Sequence, residues 1–173
     1  MEEKRLNALE IALNNEMTER EFYLKHAERT TNPVGKAMFK QIADEELEHY
    51  ERLKQLQEKW QRQEQWPATV PLTVANSNLS NTLKGVLEQV DTMQPGDDDD
   101  LEAVRKAIAF EAEGVMFYEK LRDASDDKKE KAFFALLASI EAEHLASLKD
   151  TEAYFIDPAQ WFQQMEHGGL DGA

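Results

Sequence analysis

The sequence contains one structural unit twice, and this internal repeat restricts the possible folds more than any other feature of the chain. When the sequence is shifted by 95 residues against itself, residues 12–54 align with residues 107–149 without a gap. Fourteen of the 43 aligned positions are identical, whereas composition alone gives about three, so the similarity indicates a duplication. The chain is therefore expected to fold as two equivalent halves.

Apolar residues recur at helical spacing in both copies, and strand signals are nearly absent. In the first helix the spacing is three, four or seven residues, as one buried stripe requires. The residues of this stripe are Leu6, Leu9, Leu13, Met17 and Leu24. The sequence predicts an all-α fold with helices over residues 3–29 and 36–65 in the first copy, and over residues 99–124 and 127–154 in the second.

The two helices of each copy follow one another closely, but a long connection separates the copies. The sequence TTNPVG at residues 30–35 favours a tight break between two antiparallel helices. Residues 66–98 contain three prolines and several polar stretches, and they predict a long crossover with one short helix near residues 83–90.

Acidic residues and a proline mark where two further helices begin. The run DDDD at residues 97–100 predicts the cap of the third helix, because acidic side chains accept hydrogen bonds from free backbone N–H groups. Asp157 and Pro158 predict the start of a short C-terminal helix. We predict a single domain that consists of a hairpin over residues 3–65, a crossover over 66–98, a second hairpin over 99–154 and a tail over 155–173.

The charge and the absence of cysteine limit the possible partners. The net charge of −15 argues against a nucleic-acid or membrane partner, because phosphate binding needs clustered Lys and Arg. No segment has the roughly 18 to 20 apolar residues of a membrane span, and MEEKRLNALE is charged where a signal peptide is apolar. These features predict a cytoplasmic protein. Without cysteine, a metal must be bound through oxygen and imidazole nitrogen.

The identical positions of the repeat include glutamates and histidines on the apolar faces of the helices. The sequence EELEH at residues 45–49 aligns with IEAEH at residues 140–144, and each contains a Glu-x-x-His pair that shares a helix face with apolar residues. A further inward glutamate precedes each pair by 30 residues. The residues predicted to point into the bundle are Glu16, Glu46, His49, Glu111, Glu141 and His144.

Four buried carboxylates require neutralisation, because each unpaired one costs several kcal/mol in a domain whose net stability is about 5 to 15 kcal/mol. Two divalent cations balance four carboxylates and also use the imidazoles, whereas protonated acids need no imidazole. A single Glu-x-x-His pair is typical of a solvated face, but two matched pairs predict the dinuclear site of four-helix carboxylate proteins. Two iron ions suit this mixed site best, with manganese or zinc as alternatives.

These residues resemble the ferritin-like di-iron proteins, specifically the rubrerythrin group. The resemblance covers roughly residues 5–155 and rests on Glu16, Tyr23, EELEH, Glu111, Tyr118 and IEAEH. It implies a ferritin-like four-helix bundle in which Glu46 and Glu141 bridge two irons. It also implies that the terminal ligands are Glu16, His49, Glu111 and His144.

Rubrerythrin-like proteins reduce hydrogen peroxide, and their ferritin relatives oxidise ferrous iron with oxygen. The resemblance therefore implies a peroxide-reducing di-iron oxidoreductase; a ferroxidase for iron storage or delivery and a metal-binding scaffold without turnover are the alternatives. Because the chain lacks the cysteines of a rubredoxin module, its electrons are expected from an external rubredoxin-like protein or flavoprotein. We expect a homodimer, and the long crossover permits a domain-swapped one.

One position departs from the rubrerythrin pattern. Rubrerythrins have an additional glutamate three residues after the terminal ligand of the third helix, where this chain has Gly114. The repeat counterpart of this glycine is Glu19. Either Glu19 supplies the additional carboxylate and handles protons, or the site keeps the six-ligand set of bacterioferritin-like proteins.

Two tyrosines and one glutamate near the predicted ligands complete the set of candidates. Tyr23 and Tyr118 lie two helical turns beyond Glu16 and Glu111 on the same faces, so each hydroxyl can reach the ligands or another convenient acceptor. Glu45 falls outside the inward stripe, and we predict that it is solvated.

Overall fold

In the computed structural model, residues 2–62, 85–86 and 95–168 are described, and every regular element in these ranges is helical. The five long elements are α1 (Glu2–Arg29), α2 (Pro33–Trp60), α3 (Asp98–Ala124), α4 (Lys128–Ile156) and α5 (Pro158–Gly168). The prediction of an all-α helical bundle is confirmed. None of the described helices combines the length and apolar character that a bilayer span requires.

The connection between α1 and α2 is shorter than the sequence suggests. The Asn32 side chain accepts hydrogen bonds from the backbone N–H groups of Val34 and Gly35 at 3.0 and 3.1 Å. Pro33 takes the first helical position, where a missing N–H group costs nothing. The helix therefore begins at Pro33 rather than near residue 36, and α1 and α2 pack as neighbours along their length.

Aspartates start the second hairpin, as the acidic run predicts. The Asp97 side chain accepts from the backbone N–H of Asp100 at 2.7 Å, and Asp100 accepts from that of Asp97 at 3.3 Å. Arg29 of α1 lies 2.5 Å from the buried Asp100 carboxylate, so the end of α1 is joined to the start of α3. Asp127 caps α4 by accepting hydrogen bonds from the backbone N–H groups of Lys129 and Glu130.

The core consists of two apolar clusters, one toward each end of the bundle. The first includes Tyr23, Met38, Phe39, Val104 and Phe155, and the second includes Leu9, Leu53, Tyr118, Phe134 and Leu137. Both α2 and α3 run from the first cluster to the second, so α3 begins at the opposite end of the bundle from the end of α2.

The described residues on the two sides of the predicted crossover therefore lie at opposite ends of the bundle. Residues 85 and 86 are helical, within the predicted short helix, and Val86 packs against the first cluster. The rest of the predicted crossover up to residue 94 lies outside the described residues, as do the last five residues of the predicted tail.

Candidate metal centre

The middle of the bundle is polar, although apolar clusters lie on both sides of it. Each of the four long helices contributes inward side chains, which are Glu16 of α1, Glu46 and His49 of α2, Glu111 of α3, and Glu141 and His144 of α4. All six are buried, and one chain brings them together. They are the residues that the repeat and the resemblance single out as ligands.

These side chains form two overlapping groups with metal-ligand geometry. One group contains Glu16, Glu46, His49 and Glu141, and the other contains Glu46, Glu111, Glu141 and His144. Within each group, one ligand atom from every residue lies within 4.8 Å of the others. Glu46 and Glu141 belong to both groups, so the arrangement can hold two adjacent cations that share two carboxylates.

The imidazole of His49 is directed at three carboxylates. Its Nδ1 atom lies 3.1 Å from Glu16 Oε2 and 3.0 Å from Glu46 Oε2. Glu141 Oε1 is 3.5 Å away on the opposite hairpin. The atom of the ring that faces the centre is therefore Nδ1.

The imidazole of His144 has the equivalent orientation in the second half. Its Nδ1 atom lies 3.1 Å from Glu46 Oε1, 3.6 Å from Glu111 Oε2 and 3.7 Å from Glu141 Oε2. The rings of His144 and His49 are nearly parallel, with 5.9 Å between their centroids. The two copies thus place their histidines in equivalent positions, as the repeat predicts.

Two buried tyrosines bind the outer glutamates, which are Glu16 and Glu111, the two that belong to only one group each. Each of these hydrogen bonds joins one hairpin to the other. The Tyr23 hydroxyl donates to Glu111 Oε1, and the Tyr118 hydroxyl donates to Glu16 Oε1. Burial raises the pKa of both tyrosines, and the neighbouring glutamates raise it further. Both hydroxyls therefore remain protonated donors. The sequence predicts that each tyrosine lies close to the ligands. It does not predict that each hydroxyl donates to the glutamate of the other hairpin.

The prediction that Glu45 is solvated is wrong. Its side chain is only 11% exposed, and its Oε2 atom lies 2.7 Å from Nε2 of His144. Glu45 lies about 100° around α2 from Glu46, which puts it at the edge of the inward face and toward α4. Two features of the sequence point to this contact. Glu45 directly precedes Glu46, and its counterpart in the second repeat copy is the apolar Ile140.

Without a cation, burial disfavours the ionised form of three glutamates of the candidate metal centre. Burial, together with Glu46, raises the pKa of Glu16 to about 8, and burial raises that of Glu141 well above its usual range. Burial also opposes the ionisation of Glu46, but contacts with His49 and His144 outweigh it and lower the pKa of Glu46. Both histidines have raised pKa values, because the attraction of the carboxylates exceeds the effect of burial.

Several buried ligand atoms lack a hydrogen-bond partner among the described residues. They are Glu46 Oε1, Glu111 Oε2, both carboxylate oxygens of Glu141, and His144 Nδ1. Buried polar atoms without partners are destabilising by about 1 to 3 kcal/mol each. These atoms converge between the hairpins, and oxygen and imidazole nitrogen are the donors that iron and manganese accept. The donor set therefore fits a pair of divalent cations.

A cavity of about 500 Å³ lies between α1 and α3, and it is lined by residues next to the candidate ligands. Its walls include Asn15, Glu19, Gly114 and Lys120. A Cβ atom at Gly114 would be 3.8 Å from Glu141 Oε2, so this glycine separates the cavity from a shared carboxylate.

Glu19 lies on the cavity wall and is mostly buried beside the cluster. Burial raises its pKa to about 10, and the charges of Glu46 and Glu111 add to this effect. Glu19 is therefore a carboxylic acid at neutral pH in the metal-free protein. It belongs to neither of the two groups with metal-ligand geometry.

Four long helices with two inward Glu-x-x-His pairs and two further glutamates define a helical-bundle protein with a carboxylate–histidine site that can hold metal ions. A family model described as a ferritin-like domain matches residues 4–153. The chain belongs to the ferritin-like family. Comparisons with curated proteins and with solved structures give no match.

Proposed function

We propose that this protein is a rubrerythrin-like di-iron oxidoreductase that reduces hydrogen peroxide with electrons from an external donor. The observation that carries the proposal is the convergence of four buried carboxylates and two imidazoles, several of whose buried atoms lack a hydrogen-bond partner among the described residues. Membership of the ferritin-like family supports a dinuclear centre, since family bundles build such centres from the same residue types.

In this proposal two iron ions would be held by the two overlapping groups of side chains, and Glu46 and Glu141 belong to both groups. Glu16 and His49 would complete one position, and Glu111 and His144 would complete the other. Bound iron supplies the two electrons that convert hydrogen peroxide and two protons into two water molecules.

The residues around the ligands provide access and protons. The cavity between α1 and α3 is large enough for hydrogen peroxide or oxygen, and Gly114, which has no side chain, lies between this cavity and Glu141. Glu19 lies on the cavity wall beside the ligands, and this placement makes it the proposed proton donor. Tyr23 and Tyr118 hold the outer glutamates in place through hydrogen bonds.

The electrons must reach the centre from another molecule in this proposal, since the chain has no cysteine to bind a second redox iron. A rubredoxin-like protein or a flavoprotein is the proposed donor. We also propose a homodimer in the cytoplasm. A domain-swapped dimer keeps the same ligand set, because each hairpin supplies half of it.

The proposal is tested by the rate of peroxide consumption by iron-loaded protein with a chemical or flavoprotein reductant. We expect Glu46→Ala and Glu141→Ala to lose both iron and activity. Glu143→Ala, which changes an exposed glutamate two residues after Glu141, is the matched control and should retain both. Equal rates in all variants would refute the proposal.

A second candidate is iron handling, in which ferrous iron is the substrate. It is supported by the net charge of −15, which attracts cations to the surface, and by the breadth of the ferritin-like family. Fast oxidation of ferrous iron by oxygen with mineral formation in a large particle favours this function. A small oligomer with fast peroxide turnover favours the reductase, and bound metal without either reaction indicates a scaffold.

A further inference from the structure

The two halves of the candidate metal centre differ in the residues that contact the outer nitrogen of the histidine. A glutamate contacts this nitrogen in His144. On α2, the side-chain amide of Gln41 donates to Glu45 Oε1 at 2.7 Å. The other oxygen of Glu45 lies 2.7 Å from His144 Nε2. Gln41 and Glu45 are four residues apart on one helix, so they form a preorganised pair that ends on this imidazole.

The other half of the molecule cannot form the same contacts. The repeat counterparts of Gln41 and Glu45 are Leu136 and Ile140, whose side chains have no hydrogen-bonding atoms. The candidate ligands and both tyrosines, by contrast, are identical between the two copies. The difference is therefore confined to the residues that surround the ligands.

The contact with Glu45 determines how His144 presents its other nitrogen. When Nε2 carries a proton and donates it to a carboxylate, Nδ1 keeps its lone pair for a cation and becomes more basic. Nδ1 of His144 faces the centre and has no hydrogen-bond partner among the described residues. Glu45 is thus a positioning residue for His144. The counterpart of Glu45 on α4 is Ile140, so His49 has no equivalent glutamate from that helix.

We propose that the two cation positions are inequivalent and that they fill in order. The position of Glu111 and His144 binds a divalent cation first and tightly. The position of Glu16 and His49 fills second, and its cation exchanges more readily. This inference rests on the proposed dinuclear centre and adds an order of loading to it.

Titration of the metal-free protein with Co²⁺ tests the order, with calorimetry for affinity and optical absorption for the environment of each bound ion. The wild type should bind two ions in two steps whose dissociation constants differ by roughly tenfold or more. Glu45→Gln should weaken the first step by roughly 10- to 100-fold, the usual effect of losing such a carboxylate, and should alter its absorption bands. Gln41→Leu should weaken the same step less.

Two controls separate the proposed role from a general effect of charge or folding. Glu51→Gln makes the same chemical change at an exposed position of α2 and should leave both steps unchanged. His144→Ala should remove the tight step, whereas His49→Ala should remove the weak one. Thermal unfolding of the metal-free Glu45→Gln and Glu51→Gln variants should show a cooperative transition for both, so that a loss of binding is not a loss of folding.

Two outcomes overturn the inference alone. One is a wild type that binds two ions with equal affinity, and the other is a Glu45→Gln variant that binds both ions as the Glu51→Gln control does. A wild type that binds no Co²⁺ at all overturns the inference together with the proposed function.

Discussion

The Tyr118 hydroxyl donates a hydrogen bond to Glu16, although the two residues belong to different hairpins and are 102 positions apart. The repeat counterpart of this contact joins Tyr23 to Glu111. Each hairpin therefore supplies the donor that holds the outer glutamate of the other. The two hairpins are joined by these polar contacts as well as by the apolar clusters on either side.

Replacement of Tyr118 by phenylalanine tests this exchange of donors. The variant keeps the ring in the second apolar cluster but leaves a buried oxygen of Glu16 without its donor. We expect the free energy of unfolding of the metal-free protein to fall by about 1 to 3 kcal/mol. Tyr23→Phe should have a similar effect, since it removes the equivalent bond.

Chemical denaturation with a chelator present measures this loss. Tyr50→Phe is the matched control, because Tyr50 lies on α2 and is only half-buried. If Tyr118→Phe and Tyr23→Phe lower the free energy of unfolding no more than Tyr50→Phe does, the hydrogen bonds of the buried tyrosines contribute nothing to the stability of the centre.

The metal-free protein should become less stable as pH rises from about 5 to about 8. The pKa of Glu16 is raised to about 8, so the folded protein retains a proton that the unfolded chain releases near pH 4.5. This stabilisation is fully present below pH 4.5 and is lost as pH rises through 8. The raised pKa values of His49 and His144 act in the same direction, starting from pH 6.5. The lowered pKa of Glu46 matters only below pH 4.5.

A bound cation should reverse this trend, because it replaces the protons and binds more tightly as the ligands ionise. Urea denaturation across this pH range, with chelator or with excess Co²⁺, measures both slopes. Glu16→Gln should flatten the slope in chelator, whereas Glu51→Gln should preserve it. If the protein in chelator becomes more stable between pH 5 and 8, the assignment of these raised pKa values is wrong.

Gly96 should not tolerate alanine, because it lies against the ring of Phe155. An added Cβ atom would be 2.5 to 2.8 Å from Cγ, Cδ2 and Cβ of Phe155, and the Gly96 N–H also donates to the Phe155 carbonyl at 3.1 Å. Overpacking of this kind is destabilising by about 1 to 3 kcal/mol. Gly85→Ala is the control, since a Cβ atom there meets none of the described residues within 4 Å. Equal melting temperatures for the two variants would show that the Phe155 contact yields without cost.

Gly114→Ala should stabilise the protein, in contrast to Gly96→Ala. The added Cβ atom would be 3.5 to 3.8 Å from the Glu141 side chain, which is ordinary contact. Alanine is favoured over glycine within a helix by about 0.5 to 1 kcal/mol. Denaturation with urea should therefore show a higher midpoint. A lower midpoint would mean that the methyl group displaces the Glu141 carboxylate.

Much of the fold follows from patterns within single helices. The apolar spacing of Leu9 and Leu13 defines the buried face of α1, and the same spacing places Glu16 on that face. The repeat then identifies Glu111 as its counterpart, because a buried acid is costly and does not recur at a matched position by composition alone. These inferences need only one helix and one alignment.

The features that sequence patterns missed depend on contacts between helices or on two possible uses of one residue. Glu45 lies beside the inward stripe of its own helix, and only the position of α4 brings His144 to it. The partner of Tyr118 is set by the crossing of the hairpins rather than by its spacing from Glu111. The sequence around Pro33 predicts a break between helices, but the Asn32 cap makes Pro33 the first residue of α2.

The fusion of both hairpins into one polypeptide has a consequence for divergence. In an assembly of identical single hairpins, every substitution occurs on both sides of the symmetry axis, so both imidazoles would always have the same neighbours. A chain that contains both hairpins is free of this restraint, and positions 45 and 140 hold different residues, glutamate and isoleucine. Covalent linkage of the halves is thus the condition that allows a symmetric framework to specialise its two sides.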